Sequence, residues 1–462
     1  MNSLVDLIPK GIFRANDIRA IADIELTDEI VSYIGKAYGT YLVNNQAKNV
    51  AIGADVRLHS PRIKKAFIEA ILSTGVDVVD IGTIPTPVAY FAAFECGVDA
   101  ATIITASHNP AEYNGFKMGL GLTTLMGAAL QEVYQIAISG KYAQGQGTLT
   151  ERNATEEYLT WMYKNFKFAK KFKVALDPAN AAGAIFGERL YIEMGCEVFP
   201  LYCEVDGRFP NHHPDPTVLA NVKELSELVV AQKADLGLGF DGDADRIGVV
   251  DDLGRLIPGD LLTAIFCKEI LKENPGAPIV YEVKSSQALE DVVKAEGGQP
   301  VMWKVGHSFL KAKMLEINAP LAGEVSGHMF FKDKFFGFDD AFYCGLRMIE
   351  LLEKTGKKLS ELFDELPVFC ATPEIHVHCE NDTVKFEIAK KAVAFFKSTE
   401  NVNDLDGARI MYADGWGLVR ASNTQPVLVC RFEAKTPERL EEIKNQILTK
   451  LQDFGVGEIV SH

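Results

Sequence analysis

"NVAIGADVRLHSPRIKKAFIEAILSTGVDVVDIG", from Asn49 to Gly82, holds the plan on which most of this chain is built. It reads as an apolar strand, a loop with polar residues, an amphipathic helix and a second apolar strand. The hydrophobic period switches from two to about 3.6 and back, as a βαβ unit requires. "FKVALDPANAAGAIFGERLYIEMGCEVFPL" (Phe172 to Leu201) and "PIVYEVKSSQALEDVVKAEGGQPVMWKVG" (Pro278 to Gly306) follow the same plan with little residue identity. Three α/β domains with mainly parallel, helix-covered sheets are therefore expected.

The last hundred residues differ. "GWGLVRAS" and "PVLVCRFEAKT" read as neighbouring strands, and a helix opens at Thr436-Pro437 with Leu440, Ile443, Ile447 and Leu451 on one face. The expected fold class is thus α/β, with three βαβ-type mixed-sheet domains and a smaller C-terminal α+β domain. Boundaries fall near "GKYAQGQGTLTERN", "VDDLGRLIPG" and "DELPVFCATPE". They divide the chain into residues 1–150, 151–254, 255–367 and 368–462. Ligands of parallel sheets bind beyond the carboxyl ends of the strands, which is where functional residues are sought.

Composition narrows the function classes. The 462 residues are 47% apolar and 24% charged, the balance of a soluble globular protein. Acidic residues outnumber basic ones by 63 to 47, a net charge of −16 that argues against a nucleic-acid binder. An anionic substrate would have to be held by a few local cations. The eight cysteines are scattered without zinc-ligand spacing and read as reduced. No segment approaches the roughly 18 apolar residues of a membrane span, and "MNSLVDLIPKGIF" interrupts any signal core with Asp6 and Pro9. We expect a cytoplasmic protein with no membrane partner.

Four stretches carry chemistry. In "FDGDADRI" (Phe240 to Ile247) the carboxylates Asp241, Asp243 and Asp245, with Arg246 beside them, follow the apolar "ADLGLG". Three clustered negative charges call for a cation, and a few hard oxygen ligands suit Mg²⁺. Alternate residues of an extended chain lie roughly 6.6 Å apart, so the loop must curl to bring all three to one ion. An EF-hand loop is excluded because Arg246 stands where it needs glycine. In "TIITASHNPAEYNGFK" (Thr102 to Lys117) a β-branched run stops at Ser107. A phosphorylated Ser107 would be a natural ligand for the metal, and His108 and Lys117 could serve the phosphate or its protons. The plainer reading of Ser107 is a turn or helix N-cap.

"GEVSGH" (Gly323 to His328) places Glu324, Ser326 and His328 at alternate positions; if extended, they share a face suited to sugar hydroxyls. "RASNTQP" (Arg420 to Pro426) combines a guanidinium, two hydroxyls and an amide in an anion cradle, although Ser-Asn-Thr before proline is also turn chemistry. Lys284 and His307 each follow an apolar strand and could face the same ligand.

Together, "TASHNP", "DGDADR", "GEVSGH" and "RASNTQP", in this order along the whole chain, closely resemble the α-D-phosphohexomutase family. The third and fourth are most similar to its bacterial phosphomannomutase/phosphoglucomutase branch. The resemblance implies four domains around a central cleft and a monomeric isomerase acting on phosphosugars. It also implies the interconversion of hexose 1- and 6-phosphates of mannose and glucose, through a phosphoserine and a hexose 1,6-bisphosphate. Ser107 would carry the phosphoryl group and, with Asp241, Asp243 and Asp245, hold Mg²⁺; glucose 1,6-bisphosphate would be the activator. Glu324 and Ser326 would grip sugar hydroxyls, and Arg420, Ser422, Asn423 and Thr424 the non-reacting phosphate. Arg246, Lys284, His307 and His328 would line the sugar site, with Arg19 and Lys117 at the reacting end.

Two positions depart from the family pattern F-R-x-Y-D-I-R-G: Asn16 replaces the tyrosine and Ala20 the last glycine. "DPANAAG" also lacks glycines common at that loop. Alternatives are a glucosamine-phosphate mutase of the same fold, a catalytically inactive phosphosugar-binding protein, or a simple phosphatase. Val325 and Asn423 argue against the first, since that branch usually carries glutamine and glycine there.

Overall fold

The computed structural model describes residues 4–422 and 426–461. The chain forms two compact units, Met1–Gly259 with Ser326–Phe363, and Asp260–Val325 with Asp364–His462.

In the first unit, the strand Asn49–Ala54 is central to a mixed sheet. It pairs in parallel with Asp77–Thr83 and with Ala101–Ile104. Between the first two strands runs the helix Ser60–Leu72, started by Pro61 in its first turn. The expected βαβ unit is therefore present. Residues 50–54 are all buried, as expected of a strand covered on both faces. Tyr113–Leu120 returns antiparallel to Ala101–Ile104, and Ile18–Ile21 pairs antiparallel with it at the edge. The helix Asp28–Asn44, N-capped by Thr27, packs over this sheet through Tyr38, whose ring stacks on Phe67.

A second sheet of this unit has Lys173–Asp177 parallel to Glu197–Pro200 on one side and to Leu236–Phe240 on the other. Leu236–Phe240 then folds back antiparallel into Ile247–Asp251. The helix Ala341–Thr355 is N-capped by Asp340, and its Phe342 packs against Phe186 and Phe240. The metal-loop candidate is thus the connection of a hairpin whose first strand has a firmly packed end.

In the second unit, Pro278–Glu282 lies in parallel between Gln299–Trp303 and Leu321–Gly323. The helix Gln287–Ala295 completes the third βαβ unit. The C-terminal region is an antiparallel sheet in which Gly415–Ala421 pairs with Val427–Ala434, as its sequence predicts. The helix Pro437–Asp453, capped by Thr436, buries Leu440, Ile443, Ile447 and Leu451 against it. All eight cysteines are free. Among the described residues no helix is long and apolar enough to cross a membrane.

Candidate active site

Ser107 follows the strand Ala101–Ile104 and is 1% exposed. It is no helix cap: its φ of 50° lies in the left-handed region, within a turn that Asn109 N closes onto Ala106 O at 3.0 Å. Each of its polar groups is engaged. The amide donates to Thr105 Oγ1 at 2.9 Å, the carbonyl accepts from Arg57 Nη2 at 2.7 Å, and the hydroxyl donates to Asp241 Oδ2 at 2.7 Å. His108 Nδ1 lies 3.2 Å from the same hydroxyl. Burial, reinforced by Arg246, Arg19 and His328, pushes the His108 imidazole well below its ordinary value, so it is neutral near pH 7.

The acidic loop curls as three carboxylates on one ion would require. Asp241 Oδ1 accepts from the amides of Asp245 and Arg246, both at 3.1 Å, and Ala244 takes a φ of 58° to close the bend. Gly242 is needed for another reason: a Cβ there would stand 2.1 Å from the carbonyl oxygen of Ser107. That close approach is what brings the serine hydroxyl onto Asp241. The three aspartates are wholly buried, with ligand oxygens within 4.8 Å of one another.

Lys117, on the strand Tyr113–Leu120, donates to Asp243 at 2.6 Å and to Asp245. Thr86, at the start of the helix Thr86–Glu95, donates its hydroxyl to Asp243 Oδ2 at 2.5 Å. Burial pushes Asp241 well above the usual carboxylate range, and Asp243 and Asp245 push it further. Asp243 goes the other way: burial alone would raise it, but Lys117 and Thr86 hold it low. Burial likewise works against the Lys117 ammonium, yet its carboxylate neighbours raise it well above its ordinary value. The Lys117 ammonium is thus held in its charged form by the two carboxylates it bonds.

Beyond burial, the three carboxylates lie so close that their mutual repulsion pushes Asp241 up even with Arg246 and Lys117 nearby. Asp243 Oδ1 and Asp245 Oδ1 have no hydrogen-bond partner. Burial of such oxygens is tolerable only with a cation beside them, so the donor set fits a divalent, oxygen-preferring ion such as Mg²⁺.

His328 borders this cluster. Arg246 Nε donates to its Nε2 at 2.9 Å, which leaves the proton on Nδ1, 3.0 Å from Asp339 Oδ2 and 3.6 Å from Asp245 Oδ1. Arg19 donates through Nε to Asp17 at 2.8 Å and through Nη1 to the Asn109 side chain, so it braces the serine turn. Asn16, the departure from the family pattern, keeps a buried Oδ1 without a hydrogen-bond partner.

The "GEVSGH" stretch is not extended. It turns between the strands Leu321–Gly323 and Met329–Phe331, with Gly327 at a φ of 84°, so the alternating-face reading of Glu324, Ser326 and His328 does not hold. A Cβ at position 327 would also meet Ile247 O at 2.3 Å. Glycine preceding a short apolar strand was the available sequence signal.

The second unit carries the other candidates. Glu324 Oε1 accepts from the Gly306 amide at 2.8 Å, next to His307, the first residue of the helix His307–Glu316. Lys284 is a buried cation paired with Glu374 at 2.6 Å and lying 3.7 Å from Glu282 Oε2. Burial would lower Lys284, but Glu282 and Glu374 raise it. Lys284 brings Glu374 down to about 2. Burial instead pushes Glu282 up to about 8, against the pull of Lys284. Arg420 Nε lies 3.2 Å from Asp406 Oδ2, while its buried Nη2 has no hydrogen-bond partner. The Ser422 amide donates to Val427 O at 3.0 Å; Asn423 and Thr424 lie outside the described residues.

Sequence reasoning missed several supporting groups: Arg57 with Asp55 under the serine turn, Thr86 on Asp243, Asp339 behind His328, and Glu282 and Glu374 around Lys284. Asp55 and Arg57 sit in a polar loop after a strand, which marked the place but not the partner.

Four family models match the chain in order. They are phosphoglucomutase/phosphomannomutase alpha/beta/alpha domains I, II and III over residues 10–142, 156–254 and 258–369, and the C-terminal domain over 374–450. The phosphomannomutase/phosphoglucomutase of Pseudomonas aeruginosa is 42% identical over 446 residues, covering 96% of each chain. A phosphoglucomutase of Neisseria gonorrhoeae is 40% identical over 95% of this chain and 96% of its own. The crystal structure of a phosphoglucomutase/phosphomannomutase family protein from Burkholderia thailandensis superposes with a TM-score of 0.91 at 37% identity, covering 97% of this chain and 99% of that one.

Proposed function

Starting from the phosphoglucomutase/phosphomannomutase family, to which this chain belongs, we propose that it interconverts the 1- and 6-phosphates of glucose and mannose. The observation that carries the reading is the Ser107 hydroxyl held 2.7 Å from one of three buried carboxylates, with a lysine ammonium on the other two.

In the forward direction phosphoserine 107 gives its phosphoryl group to the free 6-hydroxyl of a hexose 1-phosphate. The Oγ–P bond breaks, the new O–P bond forms, and the hydroxyl proton passes to a base. The hexose 1,6-bisphosphate so formed returns the phosphoryl group of its other end to Ser107. The product is a hexose 6-phosphate and the serine is phosphorylated again, so nothing is consumed. His108, neutral through burial and 3.2 Å from Oγ, is the base we assign. Lys117, which keeps its proton, offsets charge on the transferring oxygens. Asp241, Asp243 and Asp245 would hold Mg²⁺, which supplies further charge neutralisation when bound.

To the recognition of the substrate we assign Glu324, Ser326, His307, Lys284, Arg246 and His328 for the sugar, and Arg420, Ser422, Asn423 and Thr424 for the phosphate that does not react. The unsatisfied Arg420 Nη2 supports the last assignment, since a buried guanidinium edge needs an acceptor. We assign residues 1–150 to the phosphoserine, 151–254 to the metal, 255–367 to the sugar and 368–462 to the distal phosphate. Glucose 1,6-bisphosphate is the proposed activator, because it phosphorylates a bare Ser107, and a cytoplasmic monomer is the proposed form.

Intact-mass spectrometry after incubation with glucose 1,6-bisphosphate and Mg²⁺ tests the reading. One phosphoryl group should appear on the wild-type chain and none on Ser107→Ala. Equal labelling of both chains would refute the phosphoserine role.

A further inference from the structure

Ser107 holds a left-handed backbone conformation that L-residues rarely adopt. Such strain persists only where the surroundings impose it. One side chain grips this turn at four points. Arg57 is 1% exposed and spends its two terminal nitrogens on four carbonyls of one turn. Nη2 donates to Ser107 O at 2.7 Å and Asn109 O at 2.6 Å, and Nη1 to Pro110 O at 2.6 Å and Tyr113 O at 3.0 Å. The guanidinium is itself fixed. Asp55 Oδ2 lies 3.2 Å from its Nε, the Phe209 ring covers it at 5.1 Å, and Asp55 Oδ1 is tied to the Arg57 amide and to Ser60 Oγ at 3.0 and 2.6 Å.

We infer that Arg57, anchored by Asp55, is a positioning residue for the nucleophile: it gathers the carbonyls of residues 107–113 and so aims the Ser107 hydroxyl at Asp241.

Three features favour this over a purely structural role. The carbonyl that Arg57 grips is the one against which Gly242 closes, so the same contact sets the approach of the acidic loop to the serine. Only a planar fork can serve four acceptors in this way; a lysine ammonium offers one point of charge. Finally, the pair is a poor stabiliser. Burial pushes the Asp55 carboxyl up and the Arg57 guanidinium down, each by more than the partner restores. A buried ion pair of that kind is more readily explained by the geometry it fixes than by stability it adds.

The inference rests on the proposed phosphoserine reaction, and its test separates the two. Arg57→Lys should lower kcat about a hundredfold while KM for glucose 1-phosphate stays within threefold. The rate at which Ser107 takes a phosphoryl group from glucose 1,6-bisphosphate should fall by a similar factor. Both are measured well below the variant's Tm. Should Arg57→Lys not fold, Asp55→Asn, which keeps the guanidinium and loosens its anchor, carries the test with about a tenfold loss of kcat at unchanged KM. A folded variant with wild-type kcat overturns the inference, as does a loss fully accounted for by the unfolded fraction. A wild-type chain that never takes up the phosphoryl group removes the underlying reaction, and the inference with it.

Discussion

The acidic loop of the first unit and Arg420 of the second leave opposite kinds of atoms without hydrogen-bond partners. Around Ser107 the open atoms are carboxylate oxygens, Asp243 Oδ1 and Asp245 Oδ1. In the second unit Arg420 leaves a buried guanidinium nitrogen, Nη2, without a hydrogen-bond partner. The first pattern calls for a cation and the second for an anion. The amide, carbonyl and hydroxyl of Ser107 itself are all hydrogen-bonded within the protein. With the roles proposed above, the nucleophile is held in place without a ligand, whereas Arg420 keeps one donor nitrogen for a ligand to engage.

That contrast can be broken most severely at the nucleophile. We predict that Ser107→Ala lowers steady-state turnover at least about a thousandfold, with little change in fold. Activity within tenfold of wild type would show that the serine held in place is not the reacting group.

Next comes the cation. Burial and its carboxylate neighbours raise Asp241 in the folded chain above the ordinary 3.8, so the stability linked to its proton is present below pH 3.8 and lost as pH rises through the folded value. As pH rises above 3.8 the metal-free protein progressively gives up that stability. Asp241→Asn should therefore raise the Tm in chelator by about 2–4 °C, abolish the stabilisation by Mg²⁺, and cut turnover at least about a hundredfold. A lower Tm in chelator would mean that the carboxylate stabilises the metal-free loop.

At the recognition end the expected losses are smaller. Glu324→Ala should lower kcat/KM about 10- to 100-fold, the worth of one charged hydrogen bond, and leave Mg²⁺ binding unchanged by calorimetry. Loss of metal affinity would place Glu324 at the wrong end of the comparison.

The smallest effect is one of pH on stability. Burial holds Glu282 at about 8 against an ordinary 4.5, so the folded chain keeps a proton that the unfolded chain releases. Its contribution is complete below pH 4.5 and fades as pH rises through 8. Glu282→Gln should flatten the fall of Tm between pH 5 and 8, compared in parallel denaturation series. An unchanged slope would assign that fall to other groups.

How far these two regions were legible in the sequence follows from the range of the contacts involved. The βαβ units and the C-terminal hairpin rest on periodicity within about thirty residues, and each formed where expected. The acidic loop was equally readable, because three aspartates after an apolar strand state their own problem. Arg57 was not, although it lies inside the stretch that reveals the plan. Its partners are carbonyls 50 to 56 residues away, and backbone acceptors have no signature in side-chain sequence. For Lys284 the sequence showed only a cation after an apolar strand, and its pairing with Glu282 and Glu374 comes from the fold. The "GEVSGH" stretch failed for a local reason, since a positive φ at Gly327 bends what alternation would have kept straight.

The central claim is that this chain moves a phosphoryl group between the two ends of a hexose without releasing it. A phosphorus NMR time course with equimolar glucose, mannose and glucosamine 1-phosphates, Mg²⁺ and a trace of glucose 1,6-bisphosphate tests it most directly. The glucose and mannose compounds should become 6-phosphates with total phosphate ester constant. Growth of an inorganic phosphate signal in place of 6-phosphates, or conversion of the glucosamine compound alone, would contradict it.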